Sequence, residues 1–199
     1  MKSRSHITFV FILLIAFIAG SVAYAAPVRK KLAHPTIFNI LGPLANPAGA
    51  PFQLLGVGRP ELRPLLAEAL SLLGTRRTLV VHGSDGLDEV TLAGTTHVTE
   101  AVGRSLREFQ WTPDDFGLQP VERRSLVVEG PLQSAEMIRG ILEGRPGGPR
   151  DVVVANAAAA LWCVGRAATV GQCARLAAEA VDSGAARDLL ARLVERTNR

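Results

Sequence analysis

Aromatic residues are scarce in this 199-residue chain, at 5%, and cysteine is scarcer still, with only Cys163 and Cys173. Two cysteines cannot build a disulfide framework or a zinc site, and both lie in alanine-rich, helix-like sequence, where buried free thiols are expected. No sign of charge dominates: 22 Lys and Arg stand against 18 Asp and Glu, for a net charge of +4. The basic residues are scattered apart from Arg29-Lys30-Lys31, and no aromatics interleave with them, so nucleic acid is not an expected partner. Also missing are a Gly-x-Ser-x-Gly nucleophile elbow, a glycine loop followed by Lys-Ser/Thr, an internal repeat, and any low-complexity tract beyond the alanine run at 157–160. What is there is 48% hydrophobic and 20% charged, with 19 Gly and 12 Pro. That is the composition of a globular domain with a sizeable core, not of a disordered, collagen-like or coiled-coil chain.

The longest apolar run stands at the start. Lys2 and Arg4 precede the stretch from Ile7 to Ile18, and nothing between His6 and Arg29 is charged. Ala23-Tyr24-Ala25 offers small residues around a larger one, with cleavage before Ala26. Residues 1–25 therefore read as a signal-peptide-like leader or membrane anchor, and 26–199 as the domain proper. The apolar core is shorter than the roughly 20 residues of a spanning helix. Arg29-Lys30-Lys31 directly after it resist translocation. Export, anchoring, and a leader that arises from a shifted gene start all stay open on this reading.

From Lys31 to Ala50 turn-formers dominate: His34-Pro35, Gly42-Pro43, Asn46-Pro47 and Gly49. A strand is predicted over 53–57, then a helix opened by Pro60 and Glu61 and closed by Gly74, with Leu62, Leu65, Leu66, Ala69, Leu70 and Leu73 at helical spacing. A buried strand over 78–81 ends at His82-Gly83. Two short strands over 89–92 and 97–99 read as a hairpin joined by 93–96, and further extended pieces run through 108–111 and 125–128. Helices are predicted over 134–142, 151–164, 169–181 and 185–195, the third with a Thr169/Gln172 capping box and Gly184 at its end. Strand–helix–strand early and helices late imply an α/β domain with a mainly parallel sheet flanked by helices.

Val80-Val81-His82-Gly83-Ser84-Asp85-Gly86-Leu87-Asp88-Glu89 is the sharpest constellation. An apolar strand delivers a glycine-flexed loop with three carboxylates, and ligands of open α/β sheets gather beyond such strand ends. Adjacent carboxylates are hard oxygen ligands suited to Mg2+, which takes one or two of them with phosphate oxygens and water. The same residues also fit a solvated turn in which Asp serves as a turn-former. His82 fits a hydrogen-bonded structural residue better than a base. Gly56-Val57-Gly58 lacks the third glycine of a phosphate loop and reads as a tight strand-to-helix turn. Asn156 reads as a helix-packing amide rather than a ligand.

Three motifs carry a family likeness. Thr36-Ile37-Phe38-Asn39-Ile40-Leu41-Gly42-Pro43-Leu44-Ala45-Asn46-Pro47-Ala48-Gly49 resembles the signature of the anthranilate phosphoribosyltransferases of glycosyltransferase family 3. The 80–89 segment resembles the same family's metal loop, and Asn156-Ala157-Ala158-Ala159-Ala160-Leu161 its late helix. Ala26 to Leu32 also matches, so the likeness runs from about Tyr24 to the C-terminus. The resemblance implies the family's C-terminal α/β domain, akin to those of nucleoside phosphorylases. It also implies transfer of a phosphoribosyl group from 5-phosphoribosyl 1-pyrophosphate (PRPP) to the amine of anthranilate in tryptophan synthesis. By the same resemblance Asp88 and Glu89 are the metal pair, holding Mg2+ against PRPP oxygens, and no catalytic nucleophile is assigned.

Two departures shape these expectations. The family begins with a helical domain and a Gly-Thr-Gly-Gly-Asp loop, neither of which is found in this sequence. The chain by itself is therefore expected to be incompetent, completed by a separate helical subunit or a homodimer. The family also usually has an arginine immediately before Thr-Ile-Phe-Asn to pair with the anthranilate carboxylate. Pro35 stands there and supplies neither charge nor a two-pronged donor. The substrate-binding residues thus stay unassigned. The alternative is an exported or membrane-tethered, non-catalytic binding domain derived from the transferase. The family implies the cytoplasm; the leader implies export or a membrane anchor.

Overall fold

The computed structural model describes residues 48–198 together with Gly42, Leu44, Ala45 and Asn46. The leader at 1–25, the Arg29-Lys30-Lys31 cluster and Pro35 lie outside the described residues. The chain divides into two compact units, Met1–Ala50 and Pro51–Arg199. In the first, Asn46 makes a local turn: its Oδ1 accepts from the Ala48 amide at 3.0 Å, and its carbonyl accepts from the Gly49 amide at 3.1 Å. No described helix is long and apolar enough to cross a membrane.

The second unit is a four-stranded sheet with helices. Strand β1 (Phe52–Gly56) leads into helix α1 (Leu62–Leu72) and returns as β2 (Arg77–Gly83), giving one strand–helix–strand unit. Strands β3 (Thr96–Val102) and β4 (Ser105–Trp111) follow, and the sheet order is β1-β2-β3-β4. The late segment contributes α2 (Pro113–Phe116), a short 3-10 turn (Arg123–Leu126), α3 (Pro131–Leu142), α4 (Gly148–Cys163), α5 (Val170–Asp182) and α6 (Ala185–Thr197). The α/β class stands, and the Thr169/Gln172 capping box opens α5 as expected.

Three expectations are corrected. The four described strands form a mixed sheet: β1 runs parallel to β2, while β2–β3 and β3–β4 are antiparallel. Only β1 and β2 are separated by the crossover helix that parallel pairing requires. Val102 and Ser105, by contrast, pair across a two-residue turn at Gly103-Arg104, with Gly103 at φ +54°. Second, 89–92 is not a strand, so the hairpin placed there is absent. Val90 and Leu92 are fully buried, which makes the pattern strand-like, but side chains rather than a neighbouring strand take up much of this backbone's hydrogen bonding. Third, the extended piece at 125–128 is replaced by the 3-10 turn. The Ser125 hydroxyl donates to the Glu122 carbonyl at 2.7 Å and supports the tighter backbone.

Strand alternation sorts β2 into two faces. Leu79 and Val81 join Val90, Leu92, Val98 and Trp111 in one core with Ala155, Ala158 and Ala159 of α4 and Cys173, Ala174 and Ala177 of α5. Val80 points the other way, to the side where α1 buries Leu66, Ala67 and Leu70. The alanines of α4 allow the close α4–α5 approach, since a methyl group leaves little to hold the helices apart. Both thiols are buried and their pKa is pushed up by that burial, as expected of inert core cysteines. Four of the few aromatics, Phe109, Trp111, Phe116 and Trp162, meet edge-to-face at centroid separations of 5.3 to 5.9 Å.

A buried ion network ties α4 to the sheet. The Arg77 guanidinium donates to Glu100 Oε1 at 2.7 Å and to the Trp162 carbonyl at 2.8 Å, and it stacks 3.9 Å from the Trp162 ring centroid. The same carbonyl, at the C-terminus of α4, also accepts from the Gly165 amide at 3.0 Å, and a cation there suits the negative end of the helix. Glu100, 5% exposed, takes a second cation, Arg107 Nε, at 2.9 Å. Removing one member of a buried pair strands the other, at a cost of about 3–5 kcal/mol. Glu100→Ala is therefore expected to destabilise by about 3 kcal/mol or more, and Arg107→Ala, whose side chain is 62% exposed, by less than about 1 kcal/mol. Urea denaturation followed by Trp111 and Trp162 fluorescence measures both, and equal losses would contradict the assignment.

Candidate functional site

The carboxylate loop spans residues 84–95, between β2 and β3. It starts at Gly83, whose amide donates to the Leu87 carbonyl at 2.8 Å and whose carbonyl accepts from the Gly86 amide at 2.9 Å. Gly86 sits at φ +88°, a left-handed conformation that glycine adopts without strain, and this turns the chain toward Asp88. Ser84 and Thr95 close the base of the loop, Ser84 N–H to the Thr95 carbonyl at 2.8 Å and Thr95 N–H to Ser84 Oγ at 3.0 Å. Thr96 Oγ1 accepts from the Thr91 amide at 3.0 Å, and the Leu92 carbonyl accepts from the Val121 amide at 2.9 Å. Arg123 Nη1 reaches the Asp85 carbonyl at 2.8 Å.

Two contacts flank the acidic pair itself. The Asp88 carbonyl is packed against Gly56 at the end of β1: a Cβ built on Gly56 would lie 1.5 Å from that oxygen. On the other side, the Asn156 side chain of α4 bonds the backbone of Val90 through both its oxygen and its nitrogen, each at 2.9 Å. Gly56 is thus a glycine for close packing of the loop, not for phosphate. Asn156 is a packing amide, as expected, but one that packs against the loop.

Asp88 is exposed and Glu89 half-buried, and neither carboxylate has a hydrogen-bond or ion-pair partner among the described residues. Partial burial pushes the Glu89 pKa up, and repulsion from Asp88 and Asp85 adds to it. Asp85 Oδ1 accepts weakly from the Leu87 amide at 3.4 Å, while its Oδ2 is buried without a partner among the described residues. Asp88 and Glu89 stand side by side with no cation paired to either carboxylate, which is the donor chemistry a hard dication fits. Among the described residues, no three His, Cys, Asp or Glu side chains come together as a metal cage. A pair of protein carboxylates with the remaining positions left to phosphate oxygens and water is the Mg2+ pattern.

His82 is buried at the end of β2 with Nδ1 2.8 Å from the Val57 carbonyl, which fits the structural role expected of it. Pro35 lies outside the described residues. A cleft of about 290 Å³ lined by Met137, Ile141, Arg145 and Pro149, among others, includes none of the loop residues.

Comparison with known proteins identifies what this arrangement resembles. The family model described as glycosyl transferase family, α/β domain, matches residues 3–187. Anthranilate phosphoribosyltransferase of Rhodopirellula baltica is 47% identical over 175 residues, covering 88% of this chain and 51% of that protein. The enzyme of the same name from Thiobacillus denitrificans is 48% identical with the same coverage. Among solved structures, anthranilate phosphoribosyltransferase from Thermus thermophilus superposes with a TM-score of 0.80 at 40% identity, over 88% of this chain and 52% of that one. The Saccharomyces cerevisiae enzyme in complex with PRPP and Mg gives 0.73 at 32% identity, over 81% and 47%. The chain spans about half the length of the curated relatives it matches.

Two outcomes are expected. Gly56→Ala should destabilise by about 1–3 kcal/mol through overpacking against Asp88. Urea and thermal melts check this, and wild-type behaviour would contradict it. Glu89 holds its proton more tightly in the fold than in the unfolded chain, where the value is 4.5. The stability it contributes is thus full below that value and is lost as pH rises through the raised one. In cation-free buffer Glu89→Gln should therefore melt above wild type at about pH 7 and with it at about pH 4. Coincident melts at neutral pH would contradict the crowding of charge.

Proposed function

Since this chain belongs to the glycosyl transferase family, as its α/β domain, we propose that it carries the cation-binding half of a phosphoribosyl transfer from PRPP to the amine of anthranilate, a step of tryptophan synthesis. The observation that carries this reading is the 84–95 loop, with two adjacent, unpaired carboxylates on a backbone fixed from both sides. Asp88 and Glu89 would hold Mg2+, which supplies neutralisation of the pyrophosphate as it leaves. The loop's part is placement: it presents the two carboxylates beyond the end of β2, the end of an α/β sheet at which ligands gather. No nucleophilic side chain is required, and positioning with electrostatics carries the rate.

The ligands recorded for relatives support the substrate class, since one solved structure is a complex with PRPP and Mg and another a complex with 4-fluoroanthranilate. The acceptor end of the site is a separate matter. Pro35 replaces the arginine usual in the family, so an anthranilate carboxylate would have to be met by other donors. These 199 residues contain no Gly-Thr-Gly-Gly-Asp, and in this reading the remaining phosphate contacts come from elements other than these.

Titration of the isotope-labelled chain with PRPP in the presence of Mg2+, followed by NMR, tests this directly. Amide shifts should concentrate at residues 84–92, with an affinity weaker than about 1 mM, and should vanish in Asp88→Asn and Glu89→Gln. Shifts that persist in both variants, or none in the wild-type chain, would contradict it.

A further inference from the structure

We propose that Asn156 is a positioning residue for the Asp88–Glu89 pair, through a two-point clamp of its side-chain amide on the Val90 backbone. The proposal rests on the cation reading of that pair. Val90 is fully buried and belongs to no strand, so its N–H and C=O have no ladder to join. Asn156 Oδ1 accepts from the Val90 N–H at 2.9 Å, and Asn156 Nδ2 donates to the Val90 carbonyl at 2.9 Å. The same Nδ2 also donates to the Val152 carbonyl one turn earlier in α4, at 3.0 Å, which fixes the orientation of the amide plane.

Only a carboxamide can do this, because it carries a donor and an acceptor side by side in one rigid plane. A hydroxyl lacks the span, and a carboxylate would set an anion against two carbonyl oxygens. The clamp closes on the residue immediately after Glu89, while the residue immediately before it, Asp88, is stopped by Gly56. The backbone of the acidic pair is therefore trapped between α4 and β1, although 66 residues of sequence separate Val90 from Asn156. Two mutually repelling carboxylates relax by moving apart wherever the backbone lets them. A clamp on both sides keeps them together before any cation arrives, so less ordering is left to the binding step.

The test uses the full chain and Mn2+ alone as probe, read by paramagnetic broadening of amide signals, beside the hydrogen exchange of the Val90 amide. Asn156→Leu is expected to weaken Mn2+ binding at least tenfold and to speed Val90 exchange at least tenfold, while the β3 amides keep their protection. A purely structural role would change the exchange of β3 as much as that of Val90. If Asn156→Leu retains Mn2+ affinity within twofold while Glu89→Gln loses it, the clamp proposal is overturned and the cation reading stands. If wild-type binding survives both Asp88→Asn and Glu89→Gln, the cation reading falls and the clamp proposal with it. Should Asn156→Leu not fold, Asn156→Ser is read by the same criteria. Loss of the fold in both makes Asn156 a core residue and overturns the proposal.

Discussion

The carbonyl oxygen of Asp88 occupies the space where any side chain on Gly56 would begin. Everything proposed for this chain depends on that approach, because the acidic pair sits in a loop without regular hydrogen bonding of its own. A strand or helix fixes its side chains through its own ladder. A loop must have its backbone polar groups satisfied from outside or leave them in water. Here the outside partners are side chains and turns: Asn156 for Val90, Thr96 for Thr91, Arg123 for Asp85, and Val121 for Leu92. The result is a loop with a defined course that displays two carboxylates which no cation in the described residues neutralises.

The scaffold behind the loop has its own anchor. Arg77 joins the start of β2 to the end of α4, by a guanidinium that bonds Glu100, bonds the Trp162 carbonyl and lies over the Trp162 ring. Helix α4 carries Asn156 half-way along, so the Arg77 tie also sets the position from which the clamp reaches the loop. Fixing the helix end against the sheet therefore matters for the site, although Arg77 itself lies far along β2 from the loop it helps to place.

Much of this was legible in the sequence. Leucine spacing located α1, the Val80-Val81 run located β2, and Thr169 with Gln172 marked the first turn of α5. The 80–89 motif marks the loop that follows β2, and the proposal of Asp88 and Glu89 as a cation pair starts from its family resemblance. The rest was not legible, for physical reasons that differ from element to element. Alternation reports which residues are buried, not what their backbones bond to, so buried Val90 and Leu92 looked like a strand. The parallel expectation failed for β3 and β4 because a two-residue turn at Gly103-Arg104 joins them, and a turn that short permits only antiparallel pairing. By local sequence alone Gly56 fits a turn glycine and Asn156 a helix-packing amide. Their common task at the loop is a contact across distant sequence, which no local pattern encodes.

The central claim is that Asp88 and Glu89 form a cation site held ready by the fold. A crystal of the chain soaked in Mn2+ and measured at wavelengths that reveal its anomalous scattering tests it most directly. The account predicts an anomalous peak about 2 Å from carboxylate oxygens of both residues, with the Asp88 carbonyl still seated against Gly56. Well-ordered density for the loop with the two side chains turned apart and no peak between them would contradict it.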